Sequence, residues 1–230
     1  MITDRDIPQL RRLWQQAFGD SDDFLDKFFR VGFSPQRCNC IRKDGKIAAA
    51  LYWFDCRWNS KKVAYIYAVA TDEALRGKGL CRNLMEDTHR QLQENGYSGA
   101  VLVPAGEGLV ALYAKFGYRC FCPVETVTVS AETAMAAKAV SPEEYRVLRQ
   151  ARLGDTAILH GDTALQFLAT YGGFYKSEKA LFCGYREGDT FHCEEVLGAV
   201  APQQTNSLQA MYLSLDGDSQ LPDYFSIPLN

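Results

Sequence analysis

A short basic segment with two glycines carries the clearest chemical signal in this sequence. The segment is Ala74-Leu-Arg-Gly-Lys-Gly79, and it follows the apolar run 65–71, which has the composition of a β-strand. Because Gly77 and Gly79 have no side chains, successive backbone N–H groups can turn towards one anion. A helix that begins at Leu80 adds unpaired amides and the positive end of its dipole. The residue types and their spacing predict a loop that binds phosphate.

The spacing within the loop separates three phosphate-binding patterns. A P-loop ends in Gly-Lys followed by Ser or Thr, whereas Gly79 is followed by Leu80 and no hydroxyl is placed to hold magnesium. A dinucleotide-binding loop needs a third glycine three positions after the second, where this chain has Arg82. The remaining pattern, Arg-Gly-x-Gly after a strand, resembles the pyrophosphate loop of the GCN5-related N-acetyltransferases. Ordinary surface loops also contain Arg-Gly-Lys-Gly, so the surrounding sequence is needed to separate the two interpretations.

The sequence after the loop has the order of elements found in this family. Apolar residues at helical spacing follow the loop, and the helix is expected to end at Asn95-Gly96, a pair suited to a C-cap. A buried strand at 100–103 and a short helix at 108–116 come next. The segment Tyr113-Ala-Lys-Phe-Gly-Tyr118 resembles the family motif Tyr-x-Lys-x-Gly-aromatic. The resemblance covers about residues 1–129.

The resemblance implies a site for acetyl-coenzyme A, as a co-substrate, that is made mainly of backbone groups. The strand before the loop should separate from its neighbour at 100–103, so that its last residues bind the pantetheine arm and the thioester oxygen. These residues are Val69, Ala70 and Thr71. The loop and the first helical turn then bind the diphosphate, through Arg76, Gly77, Lys78, Gly79, Leu80 and Cys81. No metal ion is implied.

Tyr113 matches the tyrosine that lies beside the coenzyme sulfur in many relatives, and the resemblance implies that its phenol protonates the departing thiolate as a general acid. The alternative is a core tyrosine whose hydroxyl is already hydrogen-bonded. No general base is evident, because residues 63–67 contain no carboxylate. Deprotonation of the amine would then run through water relayed by Tyr65 or Tyr67, or pass to bulk solvent. Gly106 replaces an asparagine common in relatives, which affects side-chain contacts to the coenzyme more than the backbone contacts.

The first sixty residues predict two helices and a hairpin, the order in which this fold begins. Asp6 precedes an amphipathic helix with a proline in its first turn, and Ser21 caps a second helix. Strands at 38–41 and 47–54 flank Asp44-Gly45, a favoured pair for a tight turn. Only the first three residues remain for the family's usual first strand, which is therefore expected to be very short.

The composition changes near residue 130. Residues 130–140 are small and polar and predict a linker or a loose helix, and Ser141 then begins a second module. Its helices and strands are predicted at 142–152, 161–171, 174–185, 190–197, 208–215 and 224–228. One interpretation is a shortened, degenerate copy of the same fold, as in bacterial tandem members related to the Eis-type enzymes. The other is an unrelated α+β cap. In both, this half shapes the acceptor side.

The predicted fold is the acyl-coenzyme A N-acyltransferase fold, of the α/β (α+β) class. It has a mixed central sheet flanked by helices, with a smaller C-terminal α+β lobe. We divide the chain into an acetyltransferase domain at 1–129, a linker at 130–140 and the smaller lobe at 141–230.

Composition gives the remaining expectations. The 230 residues are 47% hydrophobic, and a net charge of −3 gives no general attraction to nucleic acid or to anionic membranes. Neither a signal peptide nor a membrane-spanning run is evident, so we expect a cytoplasmic protein. The eight cysteines have no zinc-type spacing and the three histidines are isolated, which predicts reduced thiols and no metal site. We expect His89 on the solvent face of its helix.

The function implied by these features is an N-acetyltransferase. It would move the acetyl group of acetyl-coenzyme A directly to a primary amine of a small molecule or peptide, and act as a monomer or homodimer. The sequence carries no signature for the acceptor. The alternative is a non-catalytic sensor or scaffold that binds acyl-coenzyme A without turnover.

Overall fold

Eleven strands join into one mixed sheet, and helices pack on both of its faces. The computed structural model describes residues 2–229. The strands are Cys38–Lys43 (β1), Lys46–Trp58 (β2), Lys61–Thr71 (β3), Gly99–Leu102 (β4), Arg119–Ser130 (β5), Lys138–Val140 (β6), Leu159–His160 (β7), Gly173–Lys176 (β8), Ala180–Glu187 (β9), Thr190–Gly198 (β10) and Gln204–Ser214 (β11). The helices are Ile7–Phe18 (α1), Asp22–Lys27 (α2), Leu80–Glu94 (α3), Glu107–Ala114 (α4), Ala131–Met135 (α5), Pro142–Leu153 (α6) and Asp162–Leu168 (α7).

The order of the strands brings the two halves of the chain into the same sheet. It is β1-β2-β3-β4-β11-β5-β10-β9-β8-β6, with β7 beside β2. Within residues 2–229, β3 and β4 are the only parallel pair of strands, and the other pairs are antiparallel. Residues 130–140, expected to be a linker or loose helix, form α5 and the edge strand β6. The predicted mixed sheet is confirmed, and the division into two modules stays a prediction.

The parallel strands β3 and β4 pair only where they begin. Pairing runs from Val63 opposite Gly99 to Tyr65 opposite Val101. Beyond Tyr65 the two strands separate, as the family resemblance implies. The edge of β3 that faces β4 therefore carries backbone groups without strand partners, which a ligand can bind.

A β-bulge bends β3 shortly after it leaves β4. Ala68 and Val69 together oppose the single residue Leu51 of β2. The φ angle of Ala68 is +49°, in the left-handed region, which costs a residue with a Cβ on the order of 1–3 kcal/mol. A bulge increases the local twist and re-aims the strand. The bulge thus contributes to the opening between β3 and β4.

Local capping signals position the helices and the hairpin at the start of the chain. The first helix, α1, ends at Gly19, which has a φ of +75°. The hydroxyl of Ser21 accepts the N–H of Phe24 at 3.2 Å and caps α2. The turn between β1 and β2 is made by Asp44 and Gly45, with φ angles of +49° and +75°. The two helices and the hairpin predicted from the sequence are confirmed.

The short first strand is not formed in the described residues. The backbone N–H of Thr3 donates to the Asp6 carboxylate at 2.9 Å, and residues 4–6 form a 3-10 turn. Because its N–H is engaged in this cap, Thr3 is not paired with a strand. Met1 lies outside the described residues.

Aromatic rings fill the core on the face of the sheet that α1, α2 and α7 cover. Neighbouring ring centroids are 4.6 to 6.3 Å apart. The cluster contains Trp14, Phe28, Tyr52, Phe54, Tyr67 and Phe167. On the opposite face, α3 buries the apolar stripe from Leu80 to Leu92 that its sequence spacing predicts. Since Phe167 belongs to α7, the first cluster joins both halves of the chain.

The second half departs from its predicted strands in two places. The run 174–185 forms two strands, because the N–H of Ser177 donates to the carbonyl of Ala180 at 2.8 Å and closes a turn. The run 224–228 is not a strand, and Ile227 has a φ of +63°, outside the β region. Residues 225–228 are all buried, and a short continuous buried run of this kind resembles a strand in sequence.

A buried ion pair joins α6 to β10. Arg149 Nε lies 2.8 Å from Glu195 Oε2, and the two side chains are 2% and 0% exposed. The hydroxyls of Tyr145 and Tyr224 donate to the same carboxylate at 2.6 and 3.1 Å. Tyr224 precedes the segment 225–229, so the network also attaches that segment to the sheet.

Candidate active site

The glycine loop after β3 has the conformation that an anion-binding loop requires. Asp72 Oδ1 accepts the N–H of Ala74 at 3.0 Å and caps a 3-10 turn that leads into the loop. Gly77 and Gly79 have φ angles of +76° and +77°. No other residue type adopts this region freely, so both glycines are needed by the backbone path. The helix α3 begins directly after Gly79.

Six successive backbone N–H groups of this loop and helix start have no hydrogen-bond acceptor within residues 2–229. They belong to residues 77–82, whereas the amides on either side, Arg76 and Asn83, donate to Glu73 and Gly79. The side chains of Arg76 and Lys78 are exposed beside them. A row of free amides at a helix start, with two adjacent cations, fits a diphosphate.

The separation of β3 from β4 opens a cleft of about 290 Å³. Val69 lies in its wall, opposite Val103 and Pro104 at the end of β4, and Tyr113 of α4 also lines it. Ala70 and Thr71 do not line it, because they continue β3 towards the loop, opposite Ala50 and Ala49 of β2. The cleft thus lies beside the later residues of β3, and the loop follows where β3 ends.

Tyr113 lines the cleft, and its hydroxyl makes no hydrogen bond within residues 2–229. The side chain is buried, with its ring 6.1 Å from that of Phe116 and 5.9 Å from that of Tyr118. Burial raises the pKa of Tyr113, and the nearby Cys81 in the first turn of α3 adds to the shift. The phenol is therefore protonated at neutral pH and available as a donor. The role of Tyr113 as a general acid stays a prediction.

The hydroxyls of Tyr65 and Tyr67 are already engaged by the end of the chain. Tyr65 donates to the carbonyl oxygen of Pro228 at 2.5 Å, and Tyr67 to that of Leu229 at 2.6 Å. Both hydroxyls are buried, and burial raises the pKa of each well above its ordinary value. A carbonyl oxygen does not take up the proton it is offered. The expected water relay through these hydroxyls is therefore wrong, and the two tyrosines instead anchor the segment 225–229 against β3.

His89 does not lie on the solvent face of α3, as the helical spacing suggested. Its Nε2 is 2.9 Å from the hydroxyl of Tyr118, which follows α4 and folds over the helix. Burial lowers the pKa of His89 to about 4, so the ring is neutral at pH 7. His89 therefore holds Tyr118 in place, and the ring of Tyr118 packs against that of Tyr113.

The sequence did not single out the residues that form the other end of the cleft. Trp14, Phe18, Asp20 and Phe24 line it opposite Tyr113. Their helical spacing predicts an apolar face of α1, but no local pattern says that this face meets β3. The one available signal was Gly19, a helix terminator that places Asp20 in a turn beside the helix end.

A second, larger cavity of about 560 Å³ lies on β5, β10 and β11, behind the segment 225–229. Its walls include the stacked rings of Tyr185 and His192, whose centroids are 5.0 Å apart, and the carboxylate of Glu194. Burial raises the pKa of Glu194 to about 8, although Leu229 N–H donates to it at 2.8 Å. None of the residues predicted for the site lines this cavity.

Among the helices in residues 2–229, none combines the length and the apolar character that crossing a membrane requires. Within the same residues, no three side chains of His, Cys, Asp or Glu come together in a group that suits a metal ion.

Residues 1–121 match the family model described as an acetyltransferase (GNAT) domain. No curated protein matches the sequence.

Solved structures share the architecture over nearly the whole chain. A GCN5-related N-acetyltransferase from Anabaena variabilis ATCC 29413 is 16% identical, over 93% of this chain and 71% of that chain, with a TM-score of 0.68. Eis1 from Mycobacterium abscessus is 8% identical over 94% of this chain and 73% of that chain, with a TM-score of 0.66. A putative acetyltransferase from Pyrococcus horikoshii is 15% identical over 96% and 90%, with a TM-score of 0.61. At these identities the likeness shows the fold.

Proposed function

The chain belongs to the GNAT acetyltransferase family, and we propose that it transfers the acetyl group of acetyl-coenzyme A directly to a primary amine of a small molecule or peptide. One observation carries the proposal. The unpaired amides of residues 77–82 lead into the helix whose first turn holds Cys81, and Cys81 lies close enough to Tyr113 to affect its pKa. An anion-binding loop and an unengaged proton donor therefore lie near each other, the loop beyond the end of β3 and the donor in the cleft.

The loop is proposed to hold the diphosphate of the coenzyme. The amides from Gly77 to Cys81 donate to its oxygens, and Arg76 and Lys78 add positive charge at the solvent side. The coenzyme's pantetheine arm then enters the gap beyond Tyr65, along the free edge of β3. There the backbone of Val69 to Thr71 binds the arm and the thioester oxygen. Fixing both ends of the donor in this way supplies catalysis by orientation.

Tyr113 is proposed to be the general acid. In the reaction, the neutral amine nitrogen forms a bond to the thioester carbon, the carbon–sulfur bond breaks, and its electron pair stays on sulfur. Tyr113 donates its hydroxyl proton to that sulfur and recovers a proton from water, while the nitrogen gives up one proton to solvent. The raised pKa keeps the phenol protonated until this step. Burial also makes the departing thiolate more basic, which favours the transfer.

Thiol release tests this proposal. The full-length protein is mixed with acetyl-coenzyme A and a panel of amines, polyamines, aminoglycosides and peptides, and free thiol is measured together with the acetylated product. We expect stoichiometric thiol and amide with at least one acceptor. Tight binding of acetyl-coenzyme A with no release for any acceptor would overturn acetyl transfer and support the non-catalytic sensor.

We also propose a cytoplasmic location. All eight cysteines are free thiols, including the exposed Cys120. An exposed thiol persists in a reducing compartment and is oxidised outside it.

A further inference from the structure

The end of the cleft opposite Tyr113 has walls made of aromatic rings. The ring centroids of Phe18, Phe24 and Tyr67 lie 5.8, 6.4 and 5.7 Å from that of Trp14. These residues come from α1, α2 and β3, and all four line the cleft. Aromatic faces offer flat apolar contact and attract cations through their quadrupoles.

One carboxylate is set into this aromatic wall. Asp20 follows Gly19, where the left-handed backbone ends α1, and it lines the cleft. The indole N–H of Trp14 donates to Asp20 Oδ2 at 2.7 Å. Asp20 Oδ1 makes no hydrogen bond or ion pair with any residue from 2 to 229. Trp14 therefore holds the carboxylate in one orientation and leaves one of its oxygens available to a ligand.

No positive side chain offsets Asp20 inside the cleft. Among its lining residues in the described chain there is no lysine, arginine or histidine, and the other polar side chains are tyrosines. Two of these, Tyr65 and Tyr67, donate their hydroxyl hydrogens to the carbonyl oxygens of Pro228 and Leu229. The cleft thus presents a net negative charge, which attracts a cation and repels a second carboxylate.

We propose that the acetyl acceptor is a small primary amine on a flat apolar body without a carboxylate, and that Asp20 binds it as the ammonium ion. This inference rests on the proposed function and names its acceptor class. The cleft of about 290 Å³ also has to admit the end of the pantetheine arm, so the space left suits a small molecule rather than a length of peptide. Amino acids that carry the same flat apolar group are excluded, because Asp20 repels their α-carboxylate.

The ammonium ion must lose a proton before its nitrogen attacks. Asp20 is only partly buried, and the exposed rim of the cleft includes Phe18 and Leu109. Solvent water at this opening takes the proton, and the neutral amine moves the short distance to the thioester beside Tyr113. Asp20 therefore acts in recognition of the acceptor, and its replacement should raise KM more than it lowers kcat.

A matched pair of ligands tests the acceptor class directly. Phenethylamine and phenylalanine share the ring and the amine and differ by the carboxylate. We expect phenethylamine to bind the full-length protein, saturated with coenzyme A, at least about 10-fold more tightly than phenylalanine. It should also bind more tightly than ethylamine, which has no ring. Equal affinities within the matched pair, or a preference for phenylalanine, would overturn the proposal.

The variant Asp20→Asn separates charge from shape. An asparagine oxygen still accepts the Trp14 N–H, so the fold and the affinity for coenzyme A should be unchanged. Affinity for phenethylamine should fall by about 10-fold or more. Asp23→Asn makes the same charge change on exposed α2, where Asp23 pairs with Lys27 at 2.6 Å, and should leave phenethylamine binding as it was. Equal binding by the two variants would remove Asp20 from the site.

Acetylation of the same ligands distinguishes this inference from the proposed function. Thiol release with phenylalanine or a polyamine, and none with phenethylamine, keeps acetyl transfer and overturns the acceptor class. Selective binding of phenethylamine that depends on Asp20, with no release for any amine, keeps the acceptor class and overturns acetyl transfer.

Discussion

The carboxylate of Glu194 accepts the backbone N–H of Leu229 at 2.8 Å, so a strand of the second half of the chain holds the segment that backs the cleft. The carbonyl of Leu229 in turn accepts the hydroxyl of Tyr67, and Ser226 donates to the carbonyl of Glu194 at 2.9 Å. Glu194 is buried and has no cationic partner among the described residues. Ionisation of Glu194 is therefore unfavourable in the folded protein, at the contact between the two halves.

Glu194 should make the protein less stable as the pH rises. Burial raises its pKa from 4.5 to about 8, so the folded protein holds this proton more tightly than the unfolded chain does. The stabilisation is complete below pH 4.5 and is lost as the pH rises to about 8. A shift of this size corresponds to roughly 3 to 5 kcal/mol. Urea unfolding of the wild type and of Glu194→Gln measures the free energy of unfolding at pH 5 and pH 9. Between these two pH values it should fall less in the variant than in the wild type. An identical fall in both proteins would contradict the raised pKa.

Replacing Tyr113 with phenylalanine should lower turnover without weakening coenzyme binding. The hydroxyl makes no hydrogen bond within the described residues, so the variant keeps its packing and its stability. General acids contribute about 10²- to 10⁴-fold to rate, and we expect a loss of kcat in that range. Steady-state kinetics and the dissociation constant of coenzyme A measure the two effects. Tyr175→Phe, in the second half of the chain, serves as the control, and an unchanged kcat in Tyr113→Phe would exclude the general-acid role.

A glutamate at position 77 should nearly abolish coenzyme binding. It places a negative charge beside the free amides and also imposes a φ of +76° on a residue with a Cβ. Gly188→Glu is the matched control, because Gly188 has a φ of +58° in an exposed turn between β9 and β10. Calorimetric titration with coenzyme A should give no measurable binding for Gly77→Glu and wild-type affinity for Gly188→Glu. Normal affinity in the first variant would show that the diphosphate binds elsewhere.

Glu195→Gln should destabilise the fold strongly. It leaves the guanidinium of Arg149 buried without its counter-charge, a change that costs about 3–5 kcal/mol in comparable pairs. Glu187→Gln, at an exposed carboxylate near the same hairpin, should change the free energy of unfolding by less than about 0.5 kcal/mol. Denaturant unfolding of both variants measures this difference. A small effect at Glu195 would mean that water reaches Arg149.

Features that depend on neighbouring residues could be predicted from the sequence. Asp44-Gly45 made the expected turn, Ser21 capped its helix, and Gly77 and Gly79 adopted the left-handed backbone that their loop needed. In each case the deciding hydrogen bond or φ angle lies within a few residues, so local chemistry is sufficient. The separation of β3 from β4 followed from the family resemblance.

Features that depend on distant contacts could not be predicted in this way. Nothing near Asp20 indicates that Trp14 will orient it towards β3, and nothing near Glu194 indicates that Leu229 will pack against it. The run 224–228 is buried like a core strand, yet among the described residues it joins no strand ladder, and its polar groups bond to Glu194 and Glu195 of β10. His89 was misplaced because Tyr118, far along the chain, covers it.

The position of β11 has a consequence for how the protein is made. This strand is synthesised after the other ten strands of the sheet in residues 2–229, yet it lies in the middle of that sheet, between β4 and β5. Until residue 214 has emerged, both earlier strands have an open edge, and such edges invite pairing with other nascent chains. Completion of the sheet is thus a late step in biogenesis. A gene fragment that stops at residue 129 would leave those edges permanently open and would be prone to aggregate.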